Sequence, residues 1–145
     1  MDDKKEYYES KKLAQAFIAK LSEEIKIPKR IYDALLPLGQ NLVAVIPGDS
    51  KKLSFFLTNA SRVLFVKLIL DKSSLNESFF TSLRKTLKEL DLTNLFSTGI
   101  CFKDEICVWE GVFEDTDAKF DIIKEKMSSI THVKKPFFER IELEE

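Results

Sequence analysis

Apolar residues dominate residues 97–114, STGICFKDEICVWEGVFE, on either side of the polar triplet Lys103-Asp104-Glu105. β-branched and aromatic residues dominate both arms, which predicts a β-hairpin with that triplet as its loop. Phe102 then faces Ile106, Cys101 faces Cys107, and Ile100 faces Val108. Because directly opposed residues share a face and side chains alternate along a strand, one side of the hairpin carries Ile100, Phe102, Ile106, Val108 and Val112. The other side carries Cys101, Cys107, Trp109 and Phe113. A sheet wetted on one face would show polar residues at alternate positions, and here they are few, so each side is expected to be covered.

The same reading places the remaining elements. Leu13, Ala14, Phe17, Ile18, Leu21 and Ile25 recur at spacings of three and four, predicting an amphipathic helix over 5–26. A short helix follows from Pro28, with Ile31, Leu35 and Leu36 inward and Gly39 as its stop. Strands are expected over 42–47, 53–58 and 62–70. The last, RVLFVKLIL, is apolar everywhere except Arg62 and Lys67, as suits a central strand. Ser74-Leu75-Asn76-Glu77 reads as a capping box opening a helix whose inward stripe is Phe79, Phe80, Leu83, Leu87 and Leu90. After the hairpin, Asp115 or Asp117 is expected to cap a helix with Phe120, Ile123, Met127 and Ile130 on one side. Pro136 then leads into an edge strand over 137–143.

From residue 62 the order is strand, helix, strand, strand, helix, strand. This is the split βαβ order and predicts an α+β, ferredoxin-like antiparallel sheet with both helices on one face. The expected organisation is a single domain over 1–145: an N-terminal helical segment (1–40), extra strands (41–61) and the βαββαβ core (62–145). The two helices are expected to leave the Trp109 and Phe113 side to be covered by the N-terminal helix, by the extra strands, or by another copy of the chain. Trp109 and Phe113 are therefore the candidate interface residues.

In element order, the C-terminal part resembles ACT and related ferredoxin-like regulatory domains. The resemblance implies an amino-acid effector bound where the first core strand passes into the first core helix, often at a dimer interface. The matching positions are Asp71, Ser73 and Asn76, in a loop that carries an aspartate but lacks the glycine usual in ACT domains.

Composition narrows the function classes. The chain has 145 residues, 44% hydrophobic and 32% charged, with four glycines and four prolines, which describes an ordered globular protein. A formal net charge of −1 offers no bulk attraction for nucleic acid or an anionic membrane, and the RNP1 pattern of RNA-recognition domains is absent. The charged N-terminus does not read as a signal peptide, and no apolar run spans a bilayer. Two cysteines without a secretory signal imply free thiols and the cytoplasm. Cys101 and Cys107 meet in the predicted register, but a zinc site needs two further ligands and the chain has one histidine, His132. The acidic group Glu110, Glu114, Asp115 and Asp117 lacks the spacing of a calcium loop, and its residues read as helix caps and solubilising charges. Gly48-Asp49-Ser50-Lys51-Lys52 lacks the second glycine of a phosphate loop and reads as a turn.

No catalytic, metal or cofactor set emerges. The expectation is a non-enzymatic cytoplasmic regulatory or interaction module that self-associates or binds a protein partner. A small effector fits the same reading; nucleic acid and membrane do not. Two alternatives stand beside it. One is a longin- or profilin-like scaffold with every strand from residue 42 onward in one sheet; the other is a small enzyme whose site forms between protomers, with Cys101 or His132 contributing.

Overall fold

The computed structural model describes residues 16–48, 51–71, 73–102, 106–115 and 120–143. The chain divides into two compact units, Met1–Pro37 and Leu38–Glu145. In the first, α1 (Lys29–Leu35) starts where Pro28 accepts the free N–H groups of Ile31 and Tyr32, and Lys29 pairs with Asp33 one turn on. None of its residues is buried, including the expected inward stripe of Ile31 and Leu35. Of the helix expected over 5–26, positions 5–15 lie outside the described residues, and 16–26 are not helical. Phe17, Ile18, Leu21 and Ile25 are exposed there, so the stripe lacks the burial from which most helical stability comes.

The second unit opens with β1 (Asn41–Val45) and β2 (Ser54–Thr58), an antiparallel pair forming its own two-stranded sheet. Gly39 precedes β1 for a steric reason: a Cβ there would collide with the β2 backbone at Leu57 and Thr58. The main sheet is built from β3 (Arg62–Asp71), β4 (Asn94–Phe102), β5 (Ile106–Glu114) and β6 (Val133–Glu142), in the spatial order β4-β5-β3-β6, with every pair antiparallel. With α2 (Glu77–Leu90) after β3 and α3 (Phe120–Ser128) after β5, this is the ferredoxin-like α+β fold. The expected hairpin register holds, pairing Phe102 with Ile106, Cys101 with Cys107 and Ile100 with Val108. Separation of the strands into two sheets rules out the single sheet of the longin- or profilin-like alternative.

Leu64, Val66, Leu68 and Leu70 of β3 point to one face and meet Phe79, Leu83 and Leu90 of α2, Ile123 and Met127 of α3, and Ile130 beyond it. Trp109 and Phe113 lie in this same core, 3% and 0% exposed. The assignment of those two to an interface is thereby corrected: the helices cover their side, and it is the Ile100 side that they leave bare. Gly111 belongs to this packing, since a Cβ there would overlap the Trp109 indole.

Two helix starts also differ from expectation. Asn76, not Ser74, caps α2, its Oδ1 accepting the Phe79 N–H at 3.0 Å. Ser74 is buried and instead closes a turn, donating its N–H to the Asp71 carbonyl. Asp91 ends α2 in the left-handed conformation typical of helix C-termini. Asp115 does not cap α3, which begins at Phe120; Asp117 lies outside the described residues. The Asp115 side chain is fully buried and bridges two arginines, with Oδ2 2.8 Å from Arg62 Nε on β3 and 3.0 Å from Arg140 Nε on β6. Arg140 also stacks over the Phe120 ring at 3.8 Å. A carboxylate placed where three strands and a helix meet is worth more as a clamp between arginines than as one more solvated cap.

Candidate functional site: the open half of the sheet face

The face turned away from α2 and α3 is read most simply as rows of side chains running across β4, β5, β3 and β6. The first row is Phe96, Val112, Phe65 and Glu139. The β1-β2 ribbon covers this end: Val45 is buried with Val63 and Val112, and Val43, Phe56, Leu95 and Phe96 pack around them. Phe56 and Phe96 meet with ring centroids 5.3 Å apart. Thr58 ties the ribbon down by donating from Oγ1 to Glu114 Oε1 at 2.6 Å.

Beyond that row the ribbon stops. The second row is Thr98, Glu110, Lys67 and Phe137, and the third is Ile100, Val108, Ile69 and Lys135. The hairpin end adds Phe102 opposite Ile106. Ile100 and Phe102 are 46% and 52% exposed with Ile106 exposed beside them, and Phe137 is exposed on β6 at the opposite edge of the sheet. A groove of about 180 Å³ runs along this surface between Pro47 and Gly48 on one bank and Phe96, Ile100, Phe102 and Val108 on the other. A second hollow of about 370 Å³ lies against Phe65, Lys67, Phe137 and Glu139. Charges are interspersed with the apolar groups: Glu110 sits opposite Lys67, and the Lys67 and Lys135 ammonium groups lie over the rings of Phe65 and Phe137.

The two edges of the sheet differ. β6 carries Pro136, Lys134, Lys135, Glu139 and Arg140, features that discourage pairing with a further strand. β4, NLFSTGICF, has no charged residue. At its end a disulfide joins Cys101 to Cys107 across the hairpin. The expectation of two free thiols is corrected accordingly. Cys101 is exposed and Cys107 is buried in the helix-side core.

The remaining candidates are dispersed. Asp71 is exposed, with Lys134 Nζ 3.8 Å from its Oδ1. Ser73 adopts a left-handed backbone, φ 62°, and the amide of Asn76 donates to the Ser73 carbonyl while its oxygen caps α2. The loop is thus held by its own polar groups. His132 is exposed in the turn before β6, also with positive φ. Glu114 and Asp115 of the acidic group are engaged by Thr58 and by the two arginines. Among the described residues no helix is long and apolar enough to cross a membrane, and no three metal-ligating side chains cluster. What sequence reasoning missed was the identity of the bare face, although its residues, Ile100, Phe102 and Ile106, had been sorted together.

No family model and no curated protein matches this sequence. Among solved structures, the chain is similar to the uncharacterized protein TM1266 from Thermotoga maritima, at 12% identity and a TM-score of 0.41, over 57% of this chain and 98% of that one. It is also similar to the C-terminal domain of the MgtC protein from Mycobacterium tuberculosis, at 14% identity and a TM-score of 0.44, over 58% and 92% of the two chains.

Proposed function

We propose that the chain is a non-enzymatic interaction module of regulatory type that self-associates through the open half of its sheet face. The observation that supports this is the exposure of Ile100, Phe102 and Ile106 at one edge, and of Phe137 at the other edge, of a face whose far end is already sealed. Surfaces of this kind mark contacts. A second copy is the chosen occupant because the patch carries both signs of charge, Lys67 and Lys135 against Glu110 and Glu139. A two-fold arrangement can set each sign against the other. Sedimentation velocity on the wild type and on Phe102→Glu tests the proposal. A dimer at micromolar concentration, reduced to monomer by the substitution without loss of folded structure, is expected; a wild type that stays monomeric at 100-fold higher concentration sinks it.

The ACT-like resemblance adds a small effector at Asp71, Ser73 and Asn76 to this proposal. The left-handed backbone at Ser73 favours it, since such conformations concentrate at ligand-holding loops. Thermal-shift screening with amino acids checks it, because a ligand of the native state raises the melting temperature. A cytoplasmic location belongs to the same proposal, and in that compartment a disulfide is a transient or regulated bond, not a permanent one.

A further inference from the structure

We infer that the Cys101–Cys107 disulfide is a reducible latch that controls the self-association surface; this rests on the reading of that surface given above. The bond lies between the patch residues in the strand register. Ile100 opposite Val108 precedes it and Phe102 opposite Ile106 follows it. Alternation sends the sulfurs to the helix side and the patch side chains to the open side. One bond therefore holds the backbone whose other face is the contact surface.

Its position makes it a local device. The cysteines are six residues apart in sequence, so the bond constrains only the end of one hairpin. Because β4 is an edge strand, its terminal residues have a strand partner on one side only, and at Cys101 that partner is Cys107. Of the two cysteines only Cys107 belongs to the α2 and α3 core built on Leu64, Leu68, Phe79, Phe113 and Ile123, and Cys101 lies outside it.

Access is one-sided, which defines the chemistry. A thiolate from a cellular thiol such as glutathione attacks the exposed sulfur of Cys101. The S–S bond breaks as the new one forms, and the electron pair leaves on Cys107, which takes a proton. A second thiol molecule then attacks the mixed disulfide, releasing Cys101 as a thiolate, which takes the second proton, and the reductant as its own disulfide. The protein gains two electrons and two protons in all. Reduction frees the β4 end from its covalent tie to β5. If dimerisation must then order even one released residue, the dimer weakens about tenfold.

The experiment uses the full chain, oxidised or fully reduced with glutathione or dithiothreitol, thiol content being checked by mass. Sedimentation velocity gives the dimer dissociation constant in each state, and hydrogen exchange reports on 100–102 and 106–108. Expected on reduction are exchange at least about tenfold faster in those two segments, unchanged exchange in β3, and a dimer weakened about tenfold. Cys101→Ser, which replaces the exposed partner and leaves the buried one in place, is expected to behave as the reduced protein whether or not reductant is present. Equal dissociation constants in the two states, or unchanged exchange at the hairpin end, overturn the latch and leave the self-association proposal standing. A hairpin end that loosens in a protein monomeric in both states overturns both.

Discussion

The two faces of the main sheet are made from similar residues, and they end up in different situations. Trp109, Phe113, Leu64 and Leu68 disappear beneath two helices, whereas Ile100, Phe102, Ile106 and Phe137, equally apolar, stay 36% to 52% exposed. On the first face burial supplies the stability of the fold. On the second the β1-β2 ribbon seals one row and stops, leaving apolar area whose burial is available for binding. Hydrophobicity alone therefore does not tell a buried residue from an exposed one in this protein. Among the described residues of this unit, what separates them is whether α2 and α3 lie overhead.

Substitutions on opposite faces should break this symmetry of composition. Trp109→Ala is expected to cost about 3–5 kcal/mol in chemical denaturation, since it empties a large site in a packed core. Phe102→Ser on the open face should change stability by no more than about 0.5 kcal/mol while abolishing the proposed self-association. A large stability loss from Phe102→Ser would mean that the open face is covered within the monomer. Asp115→Ala tests the joint between β3, β5, β6 and α3. It leaves Arg62 and Arg140 facing each other across a vacated site, and a loss of about 2–3 kcal/mol is expected, below the 3–5 typical of wholly buried pairs because both arginines retain some solvent. Gly111→Ala should cost about 1–3 kcal/mol by forcing the Trp109 ring aside. Gly48→Ala, where a Cβ meets nothing, serves as the control. Asn76→Ala is expected to cost about 1 kcal/mol for a lost helix cap, against no measurable change for Ser78→Ala two residues on.

Legibility followed the range of the interactions. Element order, strand register at the hairpin and the sorting of its side chains into two sets were readable because alternation and turn chemistry act over a few residues. Local signals failed where two neighbours competed for one role. Ser74 and Asn76 are both good caps; the helix took Asn76, whose amide also donates to the Ser73 carbonyl, while Ser74 lies in the turn that its own N–H closes on Asp71. Asp115 read as a cap because Arg62 and Arg140 are distant in sequence and invisible to any local pattern. The stripe around Phe17 and Leu21 has helical spacing, but in the described part its residues are exposed and the backbone is not helical. Spacing alone could not supply the packing surface.

The amino-acid sequence by itself determined that this chain makes a split βαβ sheet, because strand and helix periodicities, caps and turns are local properties whose order admits few topologies. Which side of that sheet the helices lie on, that Cys101 and Cys107 are bonded, that Asp115 clamps two arginines, and that the β1-β2 ribbon covers only one row were decided by the tertiary structure. Each depends on groups far apart in the chain arriving at the same place, and the free energy of such a meeting is not written in any one segment.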